Sequence, residues 1–342
     1  PSRSAMDGPL AGVPDIDQIV ADCDLDGLMA TAVLKKCYPS ASVRFGHPAK
    51  MRTSEMDAII TRSTAICDLP FHPECGLWLD HHDTNAPSPE QIAQHEAAGG
   101  KTIWEPLPSA ARVTYEMFKD HFDLSSFAPM MNMVDKIDSG QITPEEYLNP
   151  DATQLLSRTI SMEVPDYVLQ VLEWLVADHP LDWIMEQPPV SRRVELAERR
   201  RQEILELLPV RGRLVDRLGI IRLDGTSLSS NGFVFTAYWG DECDAVCVVK
   251  GFEGGGLESG SKPPLGASFY NNAFLNGNQG VMNLTLMAKS LDPTGGGHRN
   301  ACGCRIVALD DQGNVENRSP TAEDIEANID AWVSIWREHT SA

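Results

Sequence analysis

The sequence is poor in features that mark several large protein classes. It has no run of about 18 apolar residues, so no membrane-spanning helix is expected. Its first residues, Pro1-Ser2-Arg3-Ser4-Ala5-Met6, lack the apolar core of a signal peptide and read as a loose tail. Positive charge is scarce: 28 Lys and Arg stand against 49 Asp and Glu, a formal net charge of −21. That deficit argues against a protein that wraps long nucleic acid on a general basic surface, which needs cations to displace phosphate counterions. It leaves room for a local anion site built from metal ions, backbone N–H groups or a few arginines. The eight cysteines, at 23, 37, 67, 75, 243, 247, 302 and 304, lack the repeated C-x2-C spacing of a structural zinc site. Such scattered thiols, with no secretory signal, point to the reduced cytoplasm.

The composition is that of a globular chain, 42% hydrophobic and 23% charged, and 342 residues suffice for two domains. The N-terminal part alternates strand and helix signals. Short β-type runs occur at 18–23, 42–45, 57–60, 64–67, 77–79 and 102–104, with helical text at 28–37 and 109–119. Strands separated by helices predict a parallel sheet in an α/β domain. From about Leu124 to Leu208 the text is mostly helical and broken by prolines. Residues 191–208 predict a strong helix, with Glu195/Arg199 and Arg199/Glu203 at four-residue spacing and Pro209 as its stop. Beyond it come β-rich text over 214–249, a Gly/Ser/Pro loop over 251–267, a strand at 281–287, a Gly-rich turn at 295–297, apolar text over 301–309 and a helical tail over 321–338. The resulting division is a catalytic domain over 1–190, a linker helix over 191–209 and a smaller α/β domain over 210–342.

Three of the expected strands end in acids: Asp22/Asp24/Asp26, Asp68 and Asp80. In open parallel sheets ligands bind at the C-terminal strand edge. Acids far apart in sequence would gather there. The run Asp80-His81-His82-Asp83 adds two imidazoles. Adjacent histidines on extended chain point in different directions, so one can bind metal while the other meets substrate. Imidazole with carboxylate suits Mn2+ or Mg2+, and such a cluster of carboxylates is itself an argument for a cation. Near the C-terminus, Gly295-Gly296-Gly297-His298-Arg299 offers close-approaching backbone N–H groups and a guanidinium, as in an anion nest.

Four separated segments, Asp22-Cys-Asp-Leu-Asp-Gly27, Asp68 closing Thr64-Ala-Ile-Cys-Asp, Asp80-His81-His82, and Gly295-Gly-Gly-His298-Arg-Asn-Ala301, together resemble the DHH phosphoesterase superfamily with its associated C-terminal domain. That superfamily includes RecJ-type single-strand exonucleases, nano-RNA and nucleoside-bisphosphate hydrolases, cyclic dinucleotide phosphodiesterases, exopolyphosphatases and pyrophosphatases. The resemblance spans roughly residues 18–310. It implies an active site in an interdomain cleft and a centre of two divalent ions, Mn2+ by preference, with Mg2+ and Co2+ as alternatives.

Carried over residue by residue, Asp24 and Asp26 match first-motif ligands, Asp68 the bridging carboxylate, and His81 and His82 the paired histidines. The fourth acid falls in Met133–Ser139, with Asp135 preferred and Asp138 open. The first-motif histidine of many relatives is replaced by Val20, which leaves the first metal weaker, differently ligated or completed by Asp22. By resemblance His298, Arg299 and the three glycines would hold the substrate's distal phosphate, and Arg112, opening a helix with Ser109, is a further phosphate candidate. His47, His72, Cys75 and the tryptophans 174, 183, 332 and 336 are read as structural or surface residues. The implied activity is hydrolysis of phosphoester bonds in a small phosphate-rich substrate, namely a short oligonucleotide, a dinucleotide or a nucleoside bisphosphate. Phosphoanhydride cleavage is the alternative, ahead of exonuclease action on long single strands or a non-enzymatic nucleotide sensor. No long nucleic acid or membrane partner is expected, and a homo-oligomer is left open.

Overall fold

The computed structural model describes residues 10–341; the N-terminal stretch read above as a loose tail lies outside them. The chain divides into two units. One runs to Gln141 and resumes over Pro150–Glu195; the other comprises Ile142–Asn149 and the chain from Leu196 onward.

The sheet of the first unit is wholly parallel, in the order β2-β1-β3-β4-β5, with β1 Gln18–Asp22, β2 Ser42–Gly46, β3 Thr64–Cys67, β4 Leu77–Asp80 and β5 Lys101–Trp104. Its central strands read as unbroken apolar runs because both faces are covered. Side chains still alternate along them. Ile19, Ala21, Ala65, Cys67, Leu77 and Leu79 enter one core cluster, while Val20, Ile66 and Trp78 enter another with Met51, Met56 and Ile60. Among the helices are α1 (Leu25–Cys37), α2 (Pro48–Arg52), α3 (Pro89–Ala97), α4 (Ala110–Phe118) and α5 (Ala128–Asp138). Helix α1 is buried on nearly every side, which explains its content of Leu, Met, Ala and Val without a polar stripe. The chain leaves β1 for β2 on one side and β3 on the other, so the crevice for ligands opens beyond the C-terminal ends of β1 and β3.

The second unit carries a mixed six-stranded sheet in the order β10-β11-β9-β8-β7-β6. Its strands are β6 Gly212–Val215, β7 Leu218–Arg222, β8 Ala245–Lys250, β9 Gly266–Asn271, β10 Gly296–His298 and β11 Ala301–Arg305. The β7–β8 pair is parallel and the other pairs are antiparallel. Strand β8 alternates between two cores, Cys247 and Val249 on one side, Val246 and Val248 on the other. The C-terminal helix Asp324–Thr340 closes one of these with Trp332 and Trp336, and Trp332 meets Phe269 edge to face at 5.1 Å.

Several local expectations are corrected. Residues 57–60 form a turn: Met56 and Ile60 bury their side chains while Ile60 N–H bonds back to the Met56 carbonyl. The segment 281–287 ends in a helix, Thr285–Leu291, which buries Met287 and Ala288, with Leu284 buried just before it, after Asn283 accepts from the Thr285 N–H and hydroxyl. Pro209 does not stop its helix, which spans Pro188–Arg211; in the final turn few helical hydrogen bonds remain to be lost. The glycines at 295–297 lead into an edge strand. All eight cysteines are free thiols.

Asp292 ties down the approach to β10. Its side chain accepts from the Thr294 N–H at 3.0 Å, the Thr294 hydroxyl at 2.7 Å and the Arg305 N–H at 2.9 Å, with the Arg305 guanidinium alongside. Burial alone would raise its pKa, but these donors hold the carboxyl at about 2, below its usual 3.8. A carboxylate depressed in this way contributes stability above its unfolded value and loses it as pH falls through the folded one. Asp292→Asn is therefore expected to cost roughly 1.5–3 kcal/mol at pH 7. Urea unfolding should also show a shallower loss of stability for the variant between about pH 4 and pH 2. Identical acid profiles for variant and parent would contradict this account.

Candidate metal centre

Asp22 ends β1, and its Oδ1 accepts from the Cys23 N–H at 2.9 Å. The chain then turns sharply into α1. Asp24 caps that helix, accepting from the Gly27 N–H at 2.8 Å. Only glycine fits at 27, because a Cβ there would lie 2.1 Å from the Asp22 carbonyl oxygen. This close turn lets three acids from one short segment share a strand end. Asp26, 3% exposed, reaches across to the start of α4 and accepts from the N–H groups of Ala110 at 2.9 Å and Ala111 at 2.7 Å. Those amides have no partner within their own helix, so a buried carboxylate satisfies them.

Asp68 follows β3 with φ +59°, a left-handed conformation uncommon outside glycine but tolerated by Asp. It is buried, and its Oδ2 has no hydrogen-bond partner. Asp80 ends β4, fully buried. Its Oδ1 accepts from the His81 N–H and from His82 Nδ1, both at 2.8 Å, and its Oδ2 accepts from Asn85 Nδ2 at 2.8 Å. His81 donates from Nδ1 to the Leu107 carbonyl at 3.1 Å. In the neutral ring that leaves Nε2 with a lone pair; it faces Asp138 Oδ2 at 2.8 Å, Asp26 Oδ2 at 3.6 Å and Asp68 Oδ1 at 4.0 Å. The short approach to Asp138 lacks hydrogen-bond geometry, so His81 Nε2 and Asp138 Oδ2 are both buried and unsatisfied.

Three donor sets result: Asp22, Asp24 and Asp68; Asp26, His81 and Asp138; and Asp68, Asp80, His81 and His82. Within each set the donor atoms lie within 4.8 Å of one another. The sets overlap at Asp68 and His81. Three orphaned donor atoms, on Asp68, His81 and Asp138, converge where carboxylates crowd. Burial first, and then the neighbouring carboxylates, push Asp26 and Asp68 well above the usual range; burial and Asp24 raise Asp22 to about 6. Burial would lower His81, but Asp138 and Asp26 hold it up at about 9. Oxygen and imidazole donors with unspent lone pairs fit a hard or borderline divalent cation.

Of the residues expected from sequence, Asp22, Asp24, Asp26, Asp68, His81, His82 and Asp138 come together. Asp135 does not. Both its oxygens are taken, Oδ1 by the Ser109 hydroxyl at 2.7 Å and Oδ2 by Arg112 Nε at 2.9 Å and Nη2 at 2.7 Å. Arg112 is thus committed to an acid. Val20 lies in the core with no exposed surface. His47 stands at the same sheet edge, since Asp22 pairs with Gly46 in register, but its Nδ1 accepts from the Ala49 N–H. His72 bonds Asp57 and Cys75 packs on His95, both structural. Gly295, Gly296, Gly297, His298 and Arg299 belong to the second unit, at its edge strand. Gly295 is required there by the Ala288 carbonyl, 2.1 Å from where a Cβ would stand. Sequence reasoning named Asp80 without giving it a role; it orients His82, as Leu107 orients His81, in the manner of the groups behind metal-binding histidines. Asn85, its other partner, has no sequence signal.

No family model matches the chain, and no curated protein does. Among solved structures, the pGpG-specific phosphodiesterase PggH from Vibrio cholerae superposes over 94% of this chain and 99% of its own, with a TM-score of 0.69 at 22% identity. Exonuclease RecJ bound to manganese covers 94% of this chain and 89% of its own, with a TM-score of 0.48 at 14% identity. RecJ from Thermus thermophilus in complex with Mn2+ covers 93% and 52%, with a TM-score of 0.44 at 16% identity. The chain shares the α/β fold of PggH.

Metal binding at this centre has to displace protons. With His81 held near 9, its ring is charged at pH 7 without a cation, and ligation requires the neutral form. Affinity for Mn2+ is therefore expected to rise with pH up to about 9 and to fall further below about 6, where Asp22 protonates. Calorimetry at pH 7 in two buffers of different ionisation heat should show about one proton or more released per protein. No proton release would rule out ligation by His81.

Proposed function

We propose that the chain is a hydrolase of the DHH type that uses two divalent ions, Mn2+ by donor chemistry, to cleave phosphoester bonds in a small phosphate-rich substrate. The observation that carries this reading is the overlap of the donor sets at Asp68 and His81, with three buried donor atoms left unsatisfied. Bound there, two divalent ions would supply Lewis acidity to phosphoryl oxygens and make water a nucleophile near neutral pH. Asp68 would bridge them. Asp22 and Asp24 would complete one position, and Asp26, His81 and Asp138 the other. His82, half-exposed and held by Asp80 through Nδ1, keeps Nε2 for a phosphoryl oxygen or a proton. Hydrolysis adds water across a P–O bond and turns a linear dinucleotide into two mononucleotides.

The second unit would hold the phosphate or nucleotide end of the substrate through Gly295, Gly296, Gly297, His298 and Arg299. Charge supports this assignment. Arg211, Arg213, Arg217, Arg222, Arg305, Arg318 and Arg337 are each paired with an acid, whereas Arg299 is exposed and has no ion pair among the described residues. The likeness to PggH makes pGpG the first substrate to try.

The test incubates the Mn2+-loaded protein with pGpG, pApA, pAp, polyphosphate and pyrophosphate. Mononucleotide release from the dinucleotides is expected, and Asp68→Asn should lower turnover more than about 100-fold, beyond the loss typical of groups behind the ligands. Phosphate release from polyphosphate with dinucleotides untouched would sink the phosphoester reading in favour of phosphoanhydride cleavage. Arg299→Ala should raise KM about tenfold with kcat and Mn2+ affinity little changed, the signature of lost ground-state binding.

A further inference from the structure

Two of the proposed ligands of one metal position, Asp26 and Asp138, come from different helices, yet both are referenced to the same four residues. The N–H groups of Ala110 and Ala111, at the start of α4, hold the Asp26 carboxylate. In the same turn the Ser109 hydroxyl accepts from the Arg112 N–H at 2.9 Å and donates to Asp135 Oδ1 at 2.7 Å. The Arg112 guanidinium closes on Asp135 Oδ2 through two nitrogens, at 2.9 Å and 2.7 Å. Asp135 sits one turn before Asp138 on α5, so the two project from the same side of that helix. Asp138 in turn presents Oδ2 to His81 Nε2 at 2.8 Å.

We propose that Ser109, Arg112 and Asp135 form a clamp that fixes the spacing between Asp26 and Asp138, and so the geometry of the second metal position, without any of the three touching metal or substrate. The inference rests on the metal-centre reading above and deepens it. It reverses what the sequence suggests, that Asp135 ligates metal and Arg112 reaches phosphate. Three features support it. Both oxygens of Asp135 are spent. The side chains of Arg112 and Asp135 are only 18% and 15% exposed, so the pair is held away from bulk water. A two-nitrogen contact also fixes direction as well as distance, which a lysine cannot do. Ligand sets tolerate displacements of only about 0.5 Å, so a helix free to slide by that amount would degrade the site while leaving the fold intact.

The test measures Mn2+ binding to the full chain by calorimetry, records the electron paramagnetic resonance spectrum of the loaded protein, and separates kcat from KM. The set comprises the parent, Arg112→Lys, Arg112→Ala and Asp135→Asn. Asp135→Asn keeps the shape and carries the test if Arg112→Ala does not fold. The clamp predicts that affinity for one of the two ions falls about 10–100-fold. The spectrum should lose its coupled-pair features, kcat should drop with KM nearly constant, and Arg112→Lys should recover part of the loss. If the parent binds two ions and the variants match it in affinity and spectrum, the clamp is wrong. If Arg112→Ala raises KM with metal binding unchanged, Arg112 meets the substrate and the proposal fails. A parent that binds at most one ion overturns the two-metal reading and the clamp together.

Discussion

Carboxylates gathered at the C-terminal edge of a parallel sheet repel one another, and much of the first unit is arranged to hold them there. Two like unit charges about 4 Å apart, at an effective dielectric constant near 20, repel by about 4 kcal/mol. A whole domain is stable by only about 5–15 kcal/mol. Asp22, Asp24, Asp26 and Asp68 cannot all stay ionised in proximity without something positive among them. Protons are one answer, in keeping with the raised pKa of Asp22, Asp26, Asp68 and His81. Divalent cations are the stronger answer, because each converts several repulsions into attractions. The backbone devices have the same purpose: a glycine where β1 turns into α1, a left-handed aspartate after β3, and the unspent amides of α4 on Asp26.

Much of this was legible in the sequence. Strand ends carrying acids are local signals, and a parallel sheet brings its strand ends together whatever the spacing between them. The motifs around Asp22–Gly27, Asp68 and Asp80–His82 could therefore be placed at one edge from the sequence alone. What sequence could not decide was the choice between Asp135 and Asp138. They are three residues apart on one helix, both point to the same side, and the difference lies in whether Arg112 on α4 is close enough to claim one of them. That is a fact of helix packing, with no local trace. The same limit explains the segments that changed type. Residues 57–60 and 281–287 are rich in apolar side chains, but burial can be met by a turn or a helix as well as by a strand. Which one forms depends on neighbours such as Asn283, whose side chain accepts from the first N–H of the helix.

The distribution of charge bears on the size of the substrate. A net charge of −21 repels a polyanion at long range, and a long nucleic acid would need a track of free cations to offset it. The second unit does not offer one along its arginines, because seven of the eight between Arg211 and Arg337 are already bound to acids and leave Arg299 as the exception. Most of its positive charge is thus spent on internal order, including the Arg318 and Asp324 pair that anchors the last helix and the Arg305 and Asp292 pair beneath the glycine strand. Binding energy for phosphate then has to come from a few places. On the proposed reading, divalent ions would offer the larger part, since each carries two charges, and Arg299 would add a small, local part. Each further phosphate of a long chain would meet an acidic surface. On the proposed reading, the acidity that first appears to disfavour phosphate limits its number: acids that hold cations would attract a short anion, and the remaining acids would turn a long one away.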